Sequence, residues 1–194
     1  RNDKNKLYSF HAPEVKCISK GKEHKKYEFG NKSCFALTKK SGIVVGALAF
    51  EDNIYDGHAI EPQLMQVEDL IGKLPETALV DRGCKGRKSI LGVNIKIPGS
   101  GKGRTAYQKA MDRERFRRRA SIEPIIGHIK QDHRMLRNYL KGVEGDMINT
   151  LLAGAAFNMM KMLQKIRESV ICVLNEIIEK LVWKYQIQLE YYKF

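Results

Sequence analysis

Short apolar runs separated by polar and turn-forming residues occupy the first half of the chain, a pattern typical of β-strands. Two β-rich runs, 27–38 and 42–51, flank the polar residues 39–41 and predict a hairpin with an exposed basic turn. Residues 77–80 and 93–97 are two further short apolar runs that predict strands. The first half of the chain is therefore expected to form a sheet.

Other apolar positions recur at helical spacing. Residues 62–74 predict a helix that begins at Pro62 and is stopped by Pro75. The apolar patch 151–157 predicts a tightly packed helix, and the amphipathic stretch 166–194 predicts a helical tail. The succession strand, strand, helix, strand, strand, followed by a long helical half, favours a mixed α/β layer fold over a helix bundle.

The charge of the chain is large and unevenly placed. Its 194 residues carry a net charge of +13. Residues 85–141 hold 16 Lys and Arg against four acids, whereas residues 41–80 hold seven acids and one Lys. A basic surface beside a neutral body attracts a phosphate backbone and gives salt-dependent binding, so the composition favours a nucleic-acid partner.

Several other classes of function are disfavoured. The N-terminus is polar, and the patch 151–157 is far shorter than the ~20 residues that a membrane crossing needs, so no membrane partner is expected. The four cysteines are far apart and form no Cys-x2-Cys pair, which argues against a zinc knuckle or a disulfide framework. A reducing cytoplasm is the simplest setting.

An acid, Glu123, follows three consecutive arginines inside the strongly basic stretch 116–133. On an α-helix, Phe116, Arg119, Glu123 and Lys130 would fall within about 40° of one line. A carboxylate with cations on both sides suits metal-dependent phosphodiester chemistry, since it offers an oxygen ligand to a divalent ion and positive charge to phosphates. An Arg four residues before a Glu is also an ordinary helix-face pair, so the spacing alone leaves both interpretations open.

Pro124 conflicts with a single long helix, because proline in a helix interior costs about 3 kcal/mol. Either the helix begins near Ser121, with Pro124 in its first turn, or a longer helix kinks there. In the first case Phe116 and Arg119 no longer lie on the same helix as Glu123 and Lys130, which keep a common face.

A second candidate acid, Asp81, directly follows the predicted strand 77–80. Open α/β sheets place ligand groups at strand ends, where the side chain points into a crevice. Asp before a Gly-containing turn is also a common turn-former. Both interpretations of Asp81 stay open on the residues alone.

The stretch around Glu123 resembles the signature Tyr-x2-Arg-x3-Glu-x6-Lys of bacterial insertion-sequence DDE transposases. Arg119, Glu123 and Lys130 match it, and Phe116 takes the aromatic place without the hydroxyl of Tyr. Asp81, within Asp-Arg-Gly, matches the position of the second catalytic Asp. The resemblance extends over residues 7–163 or so and includes the motif at residues 53–58.

The resemblance implies an RNase H-like mixed sheet flanked by helices, with a helical C-terminal part. It predicts a catalytic domain over residues 1–165 and an amphipathic tail over 166–194. The implied activity is DNA strand cleavage and strand transfer at insertion-sequence ends, in the bacterial cytoplasm at the nucleoid. Asp81 and Glu123 would be catalytic and would hold Mg²⁺ or Mn²⁺.

The resemblance implies double-stranded DNA as the partner, at the transposon ends and at the target, and together with the basic charge it predicts a set of DNA contacts. Within the motif at residues 53–58, Asp56 and His58 are candidates for a place near the metal or the DNA, but residues of these types also suit a tight connection. The predicted DNA-binding residues are Arg82, Phe116, Arg117, Arg118, Arg119, His128, Lys130 and Arg134.

The family's first acid belongs to the first strand of its sheet, ahead of the sequence that residues 7–15 resemble. Only Asp3 precedes that stretch, so the chain is expected to begin after the first strand. Whether the chain is itself an enzyme is therefore open. The alternatives are a truncated, inactive DNA-binding fragment and an RNase H-like nuclease outside transposition; a homodimer contact through the tail is also open.

Overall fold

The computed structural model describes residues 6–19, 26–84, 86–99, 103, 105–120 and 122–191. Its internal contacts divide the chain into two units, Arg1–Phe157 and Asn158–Phe194. The predicted mixed α/β class is confirmed. The strands are β1 (Lys16–Ser19), β2 (Tyr27–Gly30), β3 (Lys32–Leu37), β4 (Val44–Phe50), β5 (Thr77–Leu79), β6 (Ser89–Ile90) and β7 (Val93–Lys96), and the helices are α1 (Asp56–Ile71), α2 (Ala106–Ala120), α3 (Ile122–Gln131) and α4 (Gly142–Tyr191).

The predicted hairpin is confirmed as the antiparallel pair of β3 and β4. Its turn is closed by the N–H of Thr38, which donates to the carbonyl of Ile43 at 2.9 Å. The preceding β-rich run is broken at Asn31, and β2 pairs with β1 in a separate antiparallel sheet. The single predicted strand over 27–38 is therefore two strands.

The predicted strands 77–80 and 93–97 are also confirmed, as β5 and β7, which pair in parallel. Between them in sequence is β6, which the apolar pattern missed because it is only two residues long, and which lies on the other side of β7 from β5. It forms a hairpin with β7 through Leu91 and Gly92, whose φ angles of 49° and 77° are both left-handed. Such a turn matches the natural twist of paired strands.

Helix α1 begins at Asp56 and not at Pro62, so the predicted start was wrong. Pro62 lies inside the helix because Ala59, Gln63 and Val67 recur at four-residue intervals and are all buried. Burial of this face outweighs the local cost of the proline. The helix ends before the predicted Pro75, at Gly72, whose φ of 77° and N–H bond to the carbonyl of Glu68 form a left-handed cap.

Two close contacts fix α1 against β4. A Cβ on Gly46 would lie 2.2 Å from Nε2 of Gln63 and 3.2 Å from Cγ2 of Val67, so any larger residue would displace the Gln63 side chain. Beside it, Gln66 accepts the N–H of Ala47 at 2.7 Å and donates to its carbonyl at 3.0 Å. The side-chain amide of Gln66 thus makes the two backbone hydrogen bonds at Ala47 that a neighbouring strand would make with β4.

Two apolar clusters form the core. In one, α1 covers the three-stranded sheet through Leu64, Ile90, Val93 and Ile95. In the other, α3 and the first turns of α4 pack on the hairpin through Val44, Ala47, Ile129, Ala153 and Phe157.

The basic stretch is divided between two helices. Helix α2 ends at Ala120 and α3 begins at Ile122, which places Pro124 in the first turn of α3. Proline is tolerated there because the first N–H groups of a helix have no partner within it. The first of the two predicted arrangements is therefore the observed one, and Phe116 and Arg119 lie on a different helix from Glu123 and Lys130.

Helix α4 is continuous where two helices were expected. The division between units falls after Phe157, before the predicted boundary at residue 165. In the second unit, every described side chain from residue 162 to residue 185 is exposed, many of them apolar. Within the described part of the chain, no helix combines the length and hydrophobicity that a membrane crossing requires.

Candidate functional site

Asp81 lies just beyond the end of β5, as the strand pattern predicted. Its side chain is 62% exposed. Its Oδ1 accepts the N–H of Arg82 at 2.5 Å. Its carbonyl accepts the N–H of Cys84 at 3.0 Å, which closes a short 3-10 turn over Arg82–Cys84. The carboxylate is therefore held at a defined orientation on the surface.

Arg119 forms an ion pair with the carboxylate of Asp81. Its Nη2 lies 3.0 Å from Oδ2 of Asp81, and its side chain is 25% exposed. Arg119 belongs to the last turn of α2, so the ion pair joins that helix to the end of β5. Two residues that were predicted from separate motifs are thus brought into direct contact.

Glu123 is exposed in the first turn of α3. Among the residues that the structure describes, no three His, Cys, Asp or Glu side chains form a group that could hold a metal ion. Both oxygens of Asp81 already have partners, Arg119 and the N–H of Arg82. As they lie, Asp81 and Glu123 do not fit Mg²⁺, which needs several converging oxygen ligands.

Asp56 occupies a structural position beside the same turn. It is the first residue of α1 and forms an ion pair with Lys32 of β3. The Lys32 Nζ also donates to the carbonyl of Ile54 at 2.5 Å. A Cβ on Gly83 would lie 2.6 Å from Oδ2 of Asp56, so the start of α1 packs directly against the turn that follows Asp81.

Two thiols lie in the same neighbourhood. Burial raises the pKa of Cys34, and Asp56 raises it further while Lys32 opposes the change. Burial also raises the pKa of Cys84, again with a contribution from Asp56. Thiols with raised pKa values stay protonated at neutral pH and are poor nucleophiles and metal ligands. Cys34 and Cys84 therefore belong to the packing of the site and not to its chemistry.

A basic cleft lies at the end of α3. Its volume is about 360 Å³. It includes Lys130 and Arg134, both predicted DNA contacts, which the structure brings together. The guanidinium of Arg137 lies 5.6 Å from the ring centroid of Tyr139. The cleft is lined by Lys130, Gln131, Arg134, Leu136, Arg137 and Tyr139.

The other predicted residues are spread over the surface. Arg82 and Arg117 are exposed, and Phe116 is half-buried on α2. His128 is exposed and its Nδ1 lies 2.7 Å from Oδ2 of Asp132. His58 is exposed too, with its ring edge-on to that of Tyr55. The side chain of Arg118 lies outside the described residues.

Sequence reasoning missed Arg137 and Tyr139 as parts of the cleft. A signal was present, because an aromatic residue interleaved with basic residues is typical of nucleic-acid surfaces. It also missed Asp146, which accepts hydrogen bonds from the amides of Asn31 and Asn138. No local pattern indicates the contact between Asn31 and Asp146, which are 115 residues apart in sequence.

Comparison of the chain with protein-family models, with curated proteins and with solved structures found no match. The geometry of Asp81, Arg119 and the basic cleft is therefore the basis for a functional assignment.

Proposed function

We propose that the chain is the catalytic portion of a DDE-type DNA transposase, which binds the ends of an insertion sequence and cleaves and joins DNA strands. The observation that carries the proposal is the contact between Arg119 and Asp81. It unites a strand-end acid with the Arg of the signature, and such a pairing is what a site for phosphodiester chemistry needs: a carboxylate beside a cation that can hold a phosphate.

The open edges of two separate sheets, β3–β4 and β5–β7–β6, support the RNase H-like part of the proposal. Within the described residues, β3 pairs only with β4, and β5 pairs only with β7. Open edges leave backbone N–H and C=O groups free to pair with a further strand. Lys32 of β3 and Gly83 in the turn after β5 both contact Asp56, so the start of β3 lies close to the end of β5. We infer that a further strand, carrying another acid, joins the two sheets and completes the site.

The basic surface supports DNA as the partner. Arg117 is exposed on α2, and Lys130 and Arg134 line the cleft. Cations that are grouped in this way release counterions from a phosphate backbone when they bind it, and this release drives association. The contacts position the duplex without reading its sequence.

A second candidate function is DNA binding without cleavage. It is favoured by the state of Asp81, because Arg119 and the N–H of Arg82 occupy both of its oxygens. The carboxylates as they lie do not fit Mg²⁺ or Mn²⁺. Either ion therefore belongs to the catalytic proposal only, in which the inferred further strand would supply another acid. The two functions share the DNA surface and differ in cleavage.

The shared DNA surface is tested by replacing Lys130 with Ala. We expect duplex affinity to fall and the slope of log K against log salt to become shallower by about 1, because one phosphate contact is lost. The measurement is fluorescence anisotropy of a labelled duplex at a series of salt concentrations, in EDTA.

Lys73→Ala is the matched control. It removes the same charge from an exposed position after α1, in the acidic part of the chain. It is expected to leave the salt slope unchanged. Equal effects of the two variants would show that binding follows net charge alone, and a wild-type chain without duplex affinity would contradict both functions.

A further inference from the structure

The basic cleft contains more apolar surface than a phosphate site requires. Tyr139 is 74% exposed and Leu136 is 73% exposed, although both are large enough to be core residues. They stand among three cations, Lys130, Arg134 and Arg137. Cations alone would serve a phosphate, whereas an exposed aromatic ring beside cations suits a phosphate with its base.

The loop that carries Tyr139 is fixed by its neighbours. The Oδ1 of Asn138 accepts the N–H of Leu140 at 2.9 Å, and the Nδ2 of Asn138 donates to Asp146 at 2.6 Å. These bonds hold the backbone on both sides of Tyr139 while its ring stays in solvent. A loop held in this way loses little backbone freedom when the ring that it carries binds a ligand.

One residue of the same cleft has a strained backbone conformation. Arg134 has a φ of 56°, in the left-handed region that residues with a Cβ rarely adopt. Strain of this kind persists where the surroundings impose it and is common at ligand sites. Here it places the Arg134 side chain in the wall of the cleft, beside Lys130.

We propose that this cleft binds one unpaired nucleotide of a DNA strand, with Lys130 and Arg134 on its phosphate and Tyr139 stacked on its base. The inference rests on the proposed function, which supplies DNA as the ligand. The guanidinium of Arg137 lies against the Tyr139 ring, and the ring's large exposure leaves surface for a base. A volume of about 360 Å³ is within the range of small-ligand sites.

The nucleotide must be unpaired because bases inside a duplex stack on one another. Their faces are covered, and an aromatic side chain reaches one only after the base has left the stack. The cleft therefore favours frayed ends, overhangs or single strands over intact duplex. This preference would suit a protein that handles the ends of a DNA element.

The experiment compares two probes in EDTA: a single-stranded DNA oligonucleotide that contains 2-aminopurine, and the same strand in a full duplex. We expect Tyr139→Ala to weaken binding of the single strand by roughly tenfold, because one base stack is lost. Duplex binding should change less than about twofold, since phosphate contacts dominate there. The 2-aminopurine emission should report stacking with wild-type protein and not with the variant.

Two variants serve as controls. Tyr139→Phe keeps the ring and should keep single-strand binding. Tyr107→Ala removes an equally exposed tyrosine, 74% exposed on α2, and should change neither probe. Because both tyrosines are largely exposed, the thermal midpoint of each variant should match that of the wild type.

The outcomes separate this inference from the proposed function. If Tyr139→Ala binds the single strand as Tyr107→Ala does, the nucleotide cleft is wrong, while duplex binding that depends on Lys130 leaves the proposed function standing. A matching RNA strand that binds more tightly than the DNA strand overturns DNA as the ligand of the cleft. If the wild type binds neither DNA probe, the inference and the proposed function both fail.

Discussion

Replacing Asp146 with Ala is expected to lower the free energy of unfolding by about 3 kcal/mol, because hydrogen bonds to a charged acceptor contribute about 1.5 to 3 kcal/mol each. Asp146 Oδ1 accepts from Asn138 at 2.6 Å, and its Oδ2 accepts from Asn31. Both contacts are partly buried, so the variant leaves two amide donors without their acceptor. The bonds join the start of β3 to the start of α4.

Urea denaturation of both proteins measures this loss. Glu144→Ala is the matched control, because Glu144 is an exposed acid in the first turn of the same helix. Its removal should cost less than about 0.5 kcal/mol. Asp146→Asn keeps one acceptor oxygen and should lie between Ala and the wild type. A loss below about 1 kcal/mol for Asp146→Ala would contradict the structural role assigned to this carboxylate.

Arg119→Ala is expected to reduce DNA cleavage by about 100-fold or more, the usual effect of removing a group aimed at charge in the transition state. Stability should change little, because Asp81 is 62% exposed and exposed ion pairs contribute at most about 1 kcal/mol. The measurement is the rate of strand cleavage by the product of the complete reading frame that encodes this chain, on DNA with the element's ends.

Arg113→Ala provides the comparison, since Arg113 is an exposed arginine on the same helix. It should cleave within a few-fold of the wild type. Arg119→Lys keeps the charge but not the planar fork and should recover only part of the rate. Equal rates for Arg113→Ala and Arg119→Ala would remove Arg119 from the site.

Local patterns predicted the parts of the fold that depend on neighbouring residues. The β3–β4 hairpin and the strands β5 and β7 followed from apolar runs between turn residues. The start of α1 was not predicted correctly, because Pro62 suggests a helix boundary. The helix begins earlier because Ala59 and Gln63 lie on one buried face. Tertiary packing, which a local pattern does not contain, decided that boundary.

The candidate site was predictable to a similar extent. The signature and the strand end identified Arg119 and Asp81, but only the fold brings them together. The fold also shows that α2 ends before Pro124, so that Arg119 and Glu123 lie on different helices, although their spacing had suggested one helix face. The contact of Asn31 with Asp146 spans 115 residues and has no local signal.

Metal-dependent cleavage is the most direct test of the catalytic proposal. The product of the complete reading frame would be incubated with end-containing DNA in Mg²⁺ or Mn²⁺, as the wild type and as Asp81→Asn and Glu123→Gln. The proposal predicts nicked and joined strands with the wild type and neither product with either variant, while all three proteins bind the DNA equally. Cleavage that survives Glu123→Gln, or a wild type that binds the ends in a salt-sensitive way and never cuts them, would contradict it.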